Sequence, residues 1–282
     1  MKIIEDQVFP NERDLYGEKQ LYLKRCVFAG PEDGESALKE ASGIKLEDCL
    51  LDLRYPLWHD HGVELERVRM SETCRAPLWY SDGITIDRSQ LFGVKALREC
   101  ERVKIENSKI VSPEFGWRSR GVLMKDTHIE GEYLFLNASD VCLKNVDFKG
   151  KYSFQYVENL IVEDSVLDTK DAFWHAKNVC VKNSVIDGEY LAWYSENLTL
   201  IDCKIRGTQP LCYCKGLKLE NCEFTDADLS FEYSEVEADL RGRILSVKNP
   251  RSGRICADKS DEILLTADSK YPCECEIVER AK

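Results

Sequence analysis

The stretch Val179-Cys180-Val181-Lys182-Asn183-Ser184-Val185-Ile186 decides the fold, because it returns twice at a fixed interval. Nineteen residues on stands Leu198-Thr199-Leu200-Ile201-Asp202-Cys203-Lys204-Ile205, and after 19 more Leu217-Lys218-Leu219-Glu220-Asn221-Cys222-Glu223-Phe224. Each copy reads apolar, any, apolar, any, Asn or Asp, small, any, apolar. A period near 20 residues is the mark of a solenoid, in which each repeat stacks on its neighbours. The alternation inside each copy has the period of a strand, not of a helix.

The same phase extends in both directions. Opening apolar residues fall at Ile84, Val103, Val122, Val141, Leu160, Val179, Leu198, Leu217 and Val236, each 19 after the last. Leu21, Ile44 and Val63 open earlier rungs at spacings of 23, 19 and 21, and the longer first one coincides with the turn-rich Ala29-Gly30-Pro31-Glu32-Asp33-Gly34. An Asn or Asp follows most opening strands (Asp48, Asn107, Asp126, Asn145, Asp164), while two rungs carry Arg67 and Arg88 there. Asn and Asp tolerate left-handed backbone angles, as a tight corner requires. A second strand and a second corner follow, the corner often glycine (Gly93, Gly131, Gly150, Gly188, Gly207). A third strand then leads to a third corner at Gly62, Gly83, Gly121, Asn159, Asn178, Asn197 or Gly216.

Three strands and three corners per 19 residues describe an all-β chain, a right-handed parallel β-helix of about eleven coils, right-handed crossover being the strong default. Residues 1–20 fit no rung and are expected to cap the first coil, 21–243 to form the β-helix, and 244–282 to supply the last coil or two and a C-terminal cap. Ile255 is expected one period after Val236.

Here the chain resembles an uncharacterised bacterial family, a domain of unknown function within the pectin-lyase-like β-helix superfamily. The resemblance covers essentially the whole chain and rests on Asp171-Ala172-Phe173-Trp174-His175 and Glu189-Tyr190-Leu191-Ala192-Trp193-Tyr194-Ser195-Glu196-Asn197-Leu198. It implies the fold but carries no activity with it. Superfamily enzymes are polysaccharide lyases, hydrolases and esterases. The Asn-Thr-Asp, Asp-Asp and Gly-His-Gly words of the hydrolases do not occur, and His61-Gly62 lacks the preceding glycine.

Composition narrows the function further. A net charge of −12 opposes a nucleic-acid groove. No apolar run suggests a signal peptide or a membrane span, and 13 scattered cysteines without paired CxxC motifs fit a reducing cytoplasm. Cys26, Cys49, Cys203 and Cys222 take the small-residue slot, where a free thiol acts as a small hydrophobe. No cofactor is implied. His59-Asp60-His61 puts two imidazoles on one strand face but finds no good third metal ligand nearby.

The third strand holds the candidate site. All five tryptophans (Trp58, Trp79, Trp117, Trp174, Trp193) stand five residues before a rung opening, and Phe231 fills that phase later. Two residues before them the slot is mostly apolar, so the tryptophans are expected inside, stacked in the core; the rival arrangement is an exposed tryptophan platform for sugars. With the tryptophans inside, the opposite parity faces solvent. It reads Tyr133-Phe135-Asn137, Tyr152-Phe154-Tyr156, Asp171-Phe173-His175, Tyr190-Ala192-Tyr194 and Gln209-Leu211-Tyr213 on successive rungs.

Tyr133, Tyr152, Tyr156, Asp171, His175, Tyr190, Tyr194 and Tyr213 are therefore the expected ligand-binding residues of an outward aromatic groove, suited to a glycan or a small polar ligand. The same rings could equally stabilise parallel strands or lie under a loop. Asp171 and His175 are the weak acid–base candidates of an enzymatic alternative, a carbohydrate-active β-helix. Leu123, Cys142, Ile161 and Cys180, one residue after each opening, form an outward apolar stripe expected to bury a second copy of the chain or to lie under the C-terminal tail. The leading expectation is a non-catalytic binding or interaction solenoid.

Overall fold

Each rung begins with a strand whose alternate side chains are buried, and consecutive rungs pair in parallel at the spacing of the sequence repeat. Leu160 lies beside Val179, and Val179 beside Leu198, with Val162, Val181 and Leu200 two residues on in the same register. These side chains are 2% exposed or less, so the opening strands form one wall of the core. A computed structural model describes residues 1–30 and 36–280 of the chain. The turn expected at Pro31 to Gly34 lies outside the described residues. The chain forms two compact units, Met1–Cys142 and Leu143–Lys282. Both are parallel β-solenoid, with no helix among the described residues.

In the first unit the opening strands include Lys19–Lys24, Ser42–Glu47, His61–Glu66, Asp82–Asp87 and Glu101–Glu106, each paired to the next. Short second strands run beside one another from Val27–Ala29 to Lys109–Val111. In the second unit Glu158–Glu163, Lys177–Lys182, Glu196–Ile201 and Leu217–Thr225 open the rungs, with Val166–Lys170, Val185–Asp187 and Lys204–Arg206 as second strands.

The corner between the two strands is left-handed, with φ of 52° at Asp164, 45° at Asn183 and 53° at Asp202. The amides and carboxylates there bond from coil to coil: Asn183 Nδ2 donates to Asp164 Oδ1 at 2.7 Å, and Asn221 Nδ2 to Asp202 Oδ1 at 2.6 Å. Arg67, an exception in the sequence pattern, keeps the same φ of 53° and donates to both oxygens of Asp48, at 2.7 and 3.1 Å. Its fork replaces the amide of the usual Asn. At the second corner a Cβ on Gly188 would lie 1.2 Å from the Thr169 carbonyl oxygen, which leaves no side chain but hydrogen.

Residues 1–20 do form a rung, contrary to expectation. Lys2–Glu5 pairs with the next opening strand, Lys2 beside Leu21 and Ile4 beside Leu23, and Val8–Phe9 pairs with Val27–Phe28. A lysine in the slot that is elsewhere apolar hid the phase. The tail also departs from the count. Val236 lies beside Gly253 and Ala238 beside Ile255, so the register there is 17 residues, not 19, following a bulge between Leu219 and Cys222. With a first rung and further tail strands included, the chain makes about 14 turns rather than about eleven.

The third segment is not a strand. Every second residue in it has positive φ: 58°, 59° and 56° at Tyr152, Phe154 and Tyr156, then 54°, 60° and 55° at Asp171, Phe173 and His175. Amides in this segment donate to both neighbouring coils, Phe173 to Ser153 O and His175 to Trp193 O, each at 2.9 Å. Those hydrogen bonds and the burial of one apolar side chain per coil, Phe154 and Phe173 in these two, offset the cost of placing bulky residues in the left-handed region.

Candidate functional site

The alternating φ overturns the expected facing of the third segment. In an extended strand Phe154 and Tyr156 would share a face. Here Phe135, Phe154 and Phe173 are fully buried, while Tyr156 is 51% exposed. Phe154 and Phe173 stack inside the core at 5.0 Å and 12°. The phenylalanines placed outward by sequence parity are thus the core, and the tryptophans placed inward sit half-buried at its rim.

The tryptophans are neither a core stack nor an open platform. In the second unit Trp174 and Trp193 lie ring on ring at 5.3 Å and 3°, and in the first unit Trp58 and Trp79 at 5.0 Å and 4°. Each indole N–H is tied to a carbonyl, Trp174 to Tyr190 O at 2.7 Å and Trp193 to Gln209 O at 2.8 Å. Arg98 fills the tryptophan slot between Trp79 and Trp117, its guanidinium 4.8 and 5.2 Å from their centroids.

The last residue of each third segment points to solvent, and in the second unit these residues make one ladder. Tyr156 stacks on His175 at 4.8 Å and 7°, His175 on Tyr194 at 5.0 Å and 8°, and Tyr194 on Tyr213 at 4.7 Å and 13°. The spacing is that of adjacent strands, so the rings are stacked by the solenoid itself. Ring faces inside the ladder are covered by neighbouring rings. What the ladder offers along its length is therefore its edges: phenol hydroxyls and imidazole nitrogens.

Of the other expected residues, Tyr152, Asp171 and Tyr190 begin their segments and stand in a separate column. Lys151 lies over the Tyr152 ring at 5.4 Å and Lys170 over Tyr190 at 5.3 Å. Asp171 is buried; burial pushes its carboxyl up from the usual range, Lys170 opposing and Glu189 adding to the shift. No hydrogen bond or ion pair joins Asp171 to His175 among the described residues. Tyr133 belongs to the first unit, where its carbonyl accepts the Trp117 indole N–H at 2.8 Å. There too His59 stacks on Tyr80 at 5.0 Å and His61 pairs with Asp82, so the two imidazoles take different partners.

Beyond Tyr213 the ladder turns. Tyr233 is tilted 56° to Tyr213 at 5.8 Å, and Tyr271 stands at 84° to Tyr233 at 5.3 Å. Tyr194, Tyr213, Tyr233 and Tyr271 line a cavity of about 270 Å³ together with Lys215, Arg251 and Lys270. Burial first, then the nearby Glu232, pushes the Tyr213 phenol up to about 12, so it stays a hydroxyl and can donate. Tyr233 and the three cations escaped the sequence reading for two reasons. Tyr233 follows Tyr213 by 20 residues instead of 19, and Phe231, expected in the tryptophan phase, occupies the Leu211 slot; its amide reaches the previous coil as that of Leu211 does. Arg251, Lys270 and Tyr271 come from the tail, where the repeat gives no phase. The spacing Tyr194, Tyr213, Tyr233 was the one available signal.

A second cavity, about 320 Å³, lies at the bulge and is lined by Lys218, Glu220, Glu237, Asp239 and Arg254 among others. Its lining charges are of both signs, and two of them are paired with residues outside the lining, Arg254 with Glu276 at 3.1 Å and Asp239 with Arg280, so it lacks the one-signed character of the aromatic cavity.

Of the residues expected in an apolar stripe, Leu123 is 42% exposed and Cys142 half-buried in the first unit, and Ile161 is 45% exposed and Cys180 half-buried in the second. Ile161→Lys is expected to change stability by no more than about 0.5 kcal/mol, as for an exposed site without special contacts. A urea titration checks this; a loss of several kcal/mol would put Ile161 inside the core.

Comparison with known proteins adds the family and little more. The Streptococcus pneumoniae surface protein and adhesin PfbA superposes with a TM-score of 0.44 at 8% identity, covering 92% of this chain and 91% of its own. The A-module of Azotobacter vinelandii mannuronan C-5 epimerase AlgE4 gives a TM-score of 0.26 at 12% identity, over 98% of this chain and 85% of its own. At such scores neither likeness bears on activity. No curated protein matches the chain. A family model does, over residues 2–278: the chain belongs to the family described as Protein of unknown function (DUF3737).

Proposed function

We propose that the protein is a non-catalytic binding solenoid whose site is the exposed ring ladder of the second unit and the cavity at its end. The observation that carries this is the ladder Tyr156–His175–Tyr194–Tyr213, regular for four rungs and then broken at Tyr233. The solvent edge of the ladder carries hydroxyls and an imidazole, which supply hydrogen-bond donors and acceptors at a regular spacing. A ligand with several hydroxyls, a glycan or a small polar molecule, matches such an edge along the ladder and finds uncovered ring faces where the ladder turns.

What favours binding over a carbohydrate-active enzyme is the placement of the acid–base candidates. Asp171 is buried in a different column from His175, and no carboxylate or imidazole among the described residues lines the cavity. General acid–base catalysis needs both groups within reach of one bond.

The test is a screen of glycans and small polar metabolites against wild type and the double variant His175→Ala/Tyr194→Ala, both verified as folded by circular dichroism. A ligand bound by wild type and weakened at least tenfold in the variant is the expected result. Equal binding to both proteins would move the site elsewhere, and turnover abolished by His175→Ala would replace the binding reading with the enzymatic one.

A further inference from the structure

We propose that the cavity at the end of the ladder holds a small ring-bearing anion: a carboxylate or phosphate attached to a sugar or aromatic ring. The inference deepens the proposed function and rests on the ladder's end being the ligand site.

Charge points first to an anion. The chain as a whole carries a net charge of −12, yet this cavity is lined by Lys215, Arg251 and Lys270 and, among the described residues, by no carboxylate. Three cations gathered in one concavity of an acidic protein run against its average surface, and a concavity of one sign concentrates counter-ions of the other. Their existing partners leave capacity. Lys215 is only 4.0 Å from Glu196, a loose contact at an exposed site, and Arg251 meets Glu235 through one Nη1 at 3.2 Å. Lys270 has no carboxylate within ion-pair distance among the described residues; its ammonium lies 5.3 Å over the Tyr271 ring. Arg251 lies 5.2 Å over the same ring, so Tyr271 gathers two cations at one wall of the cavity.

The walls point to a ring. Tyr213, Tyr233 and Tyr271 turn through successive angles of 56° and 84°, so they form a concave aromatic surface rather than a continued stack. A ring laid against one of these faces meets the edge of the next, the offset and edge-to-face contacts that aromatic and sugar rings prefer. The wall is held in place: the Tyr233 hydroxyl accepts the backbone N–H of Lys270 at 3.1 Å, fixing the tail that carries Lys270 and Tyr271. The Tyr213 hydroxyl, which stays protonated, adds a donor. At about 270 Å³ the space suits one ring with its acid group, not a run of rings.

The experiment is calorimetric titration of the full chain at low ionic strength with glucuronate, glucose 6-phosphate, 4-hydroxybenzoate and phenyl phosphate. Glucose, phenol and inorganic phosphate are the matched controls. At least one ring-bearing anion should bind at least tenfold tighter than its neutral parent and tighter than inorganic phosphate, and should weaken as salt is raised. Arg251→Gln/Lys270→Gln should reduce that binding at least tenfold; Lys270→Gln alone, on an exposed side chain, serves if the double variant does not fold. The sugar and aryl arms separate the two ring sources.

A neutral parent that binds as well as its anion overturns the inference and leaves the proposed ligand site standing. Inorganic phosphate binding as tightly as any ring-bearing anion overturns the ring. Binding that survives loss of the charges moves the anion site elsewhere. No binding by any probe overturns the inference as well, while the glycan screen on His175 and Tyr194 still decides the broader function.

Discussion

Phe173→Ala should lower the stability of the second unit by about 3–5 kcal/mol, the usual cost of emptying a fully buried phenylalanine. His175→Ala, two residues on and with the same left-handed φ, should cost under about 1 kcal/mol. Phe173 is 0% exposed and stacks on Phe154 at 5.0 Å, whereas the His175 ring is exposed and stacks on its ladder neighbours Tyr156 and Tyr194. An extended strand would put both residues on one face and give two similar losses. Urea unfolding of the two variants separates these cases. Comparable losses at the two positions, or a loss near 1 kcal/mol at Phe173, would restore the extended strand and remove the structural basis of the ladder.

The same pair of residues marks the limit of what the sequence discloses. The opening strands were legible because apolar residues at Val179, Leu198 and Leu217 recur at a spacing that only stacking explains. The first corner was legible too, since Asn and Asp advertise a left-handed backbone. The third segment carries no such sign: Tyr, Phe and His at positive φ look like any aromatic strand residue. Period-2 parity then placed Phe154 and Phe173 outside and the tryptophans inside, the reverse of the structure for the phenylalanines and too deep for the tryptophans.

Of the eight expected site residues, Tyr156, His175, Tyr194 and Tyr213 do form one exposed column, because a fixed repeat stacks equal phases whichever way they face. Tyr152, Asp171 and Tyr190 fall into another column because the segment between them and the ladder is turned by its alternating φ. The cavity itself was out of reach. It depends on a one-residue lengthening before Tyr233 and on tail residues brought back by the Tyr233–Lys270 hydrogen bond, neither of which a repeat count contains.

Asp60→Ser should stabilise the first unit by about 2–4 kcal/mol at pH 7, with the gain growing as pH rises. Asp60 stands in the buried small-residue slot that Ala41, Ser81, Cys100 and Ser119 fill on nearby rungs, and it is 0% exposed. Its Oδ1 accepts the Ala41 amide at 2.9 Å, but Oδ2 has no hydrogen-bond partner among the described residues. Burial raises the carboxyl from 3.8 to about 8, the Ala41 and Glu40 amides opposing the shift only in part.

The folded chain therefore keeps a proton that the unfolded chain releases above about pH 4. Stability from this group is lost steadily as pH rises from about 4 to about 8 and is level above that. Serine removes the charge and keeps the bond, since Ser81 in the next coil accepts the Asp60 amide at 2.9 Å in the same way, while its hydroxyl donates to the Leu57 carbonyl. Urea midpoints of wild type and variant between pH 5 and pH 9 give the difference directly. It should be small at pH 5, widen through pH 7 and level off beyond pH 8. A constant difference across that range would mean that Asp60 ionises normally, and a less stable variant would mean that its carboxylate has a partner that serine cannot replace.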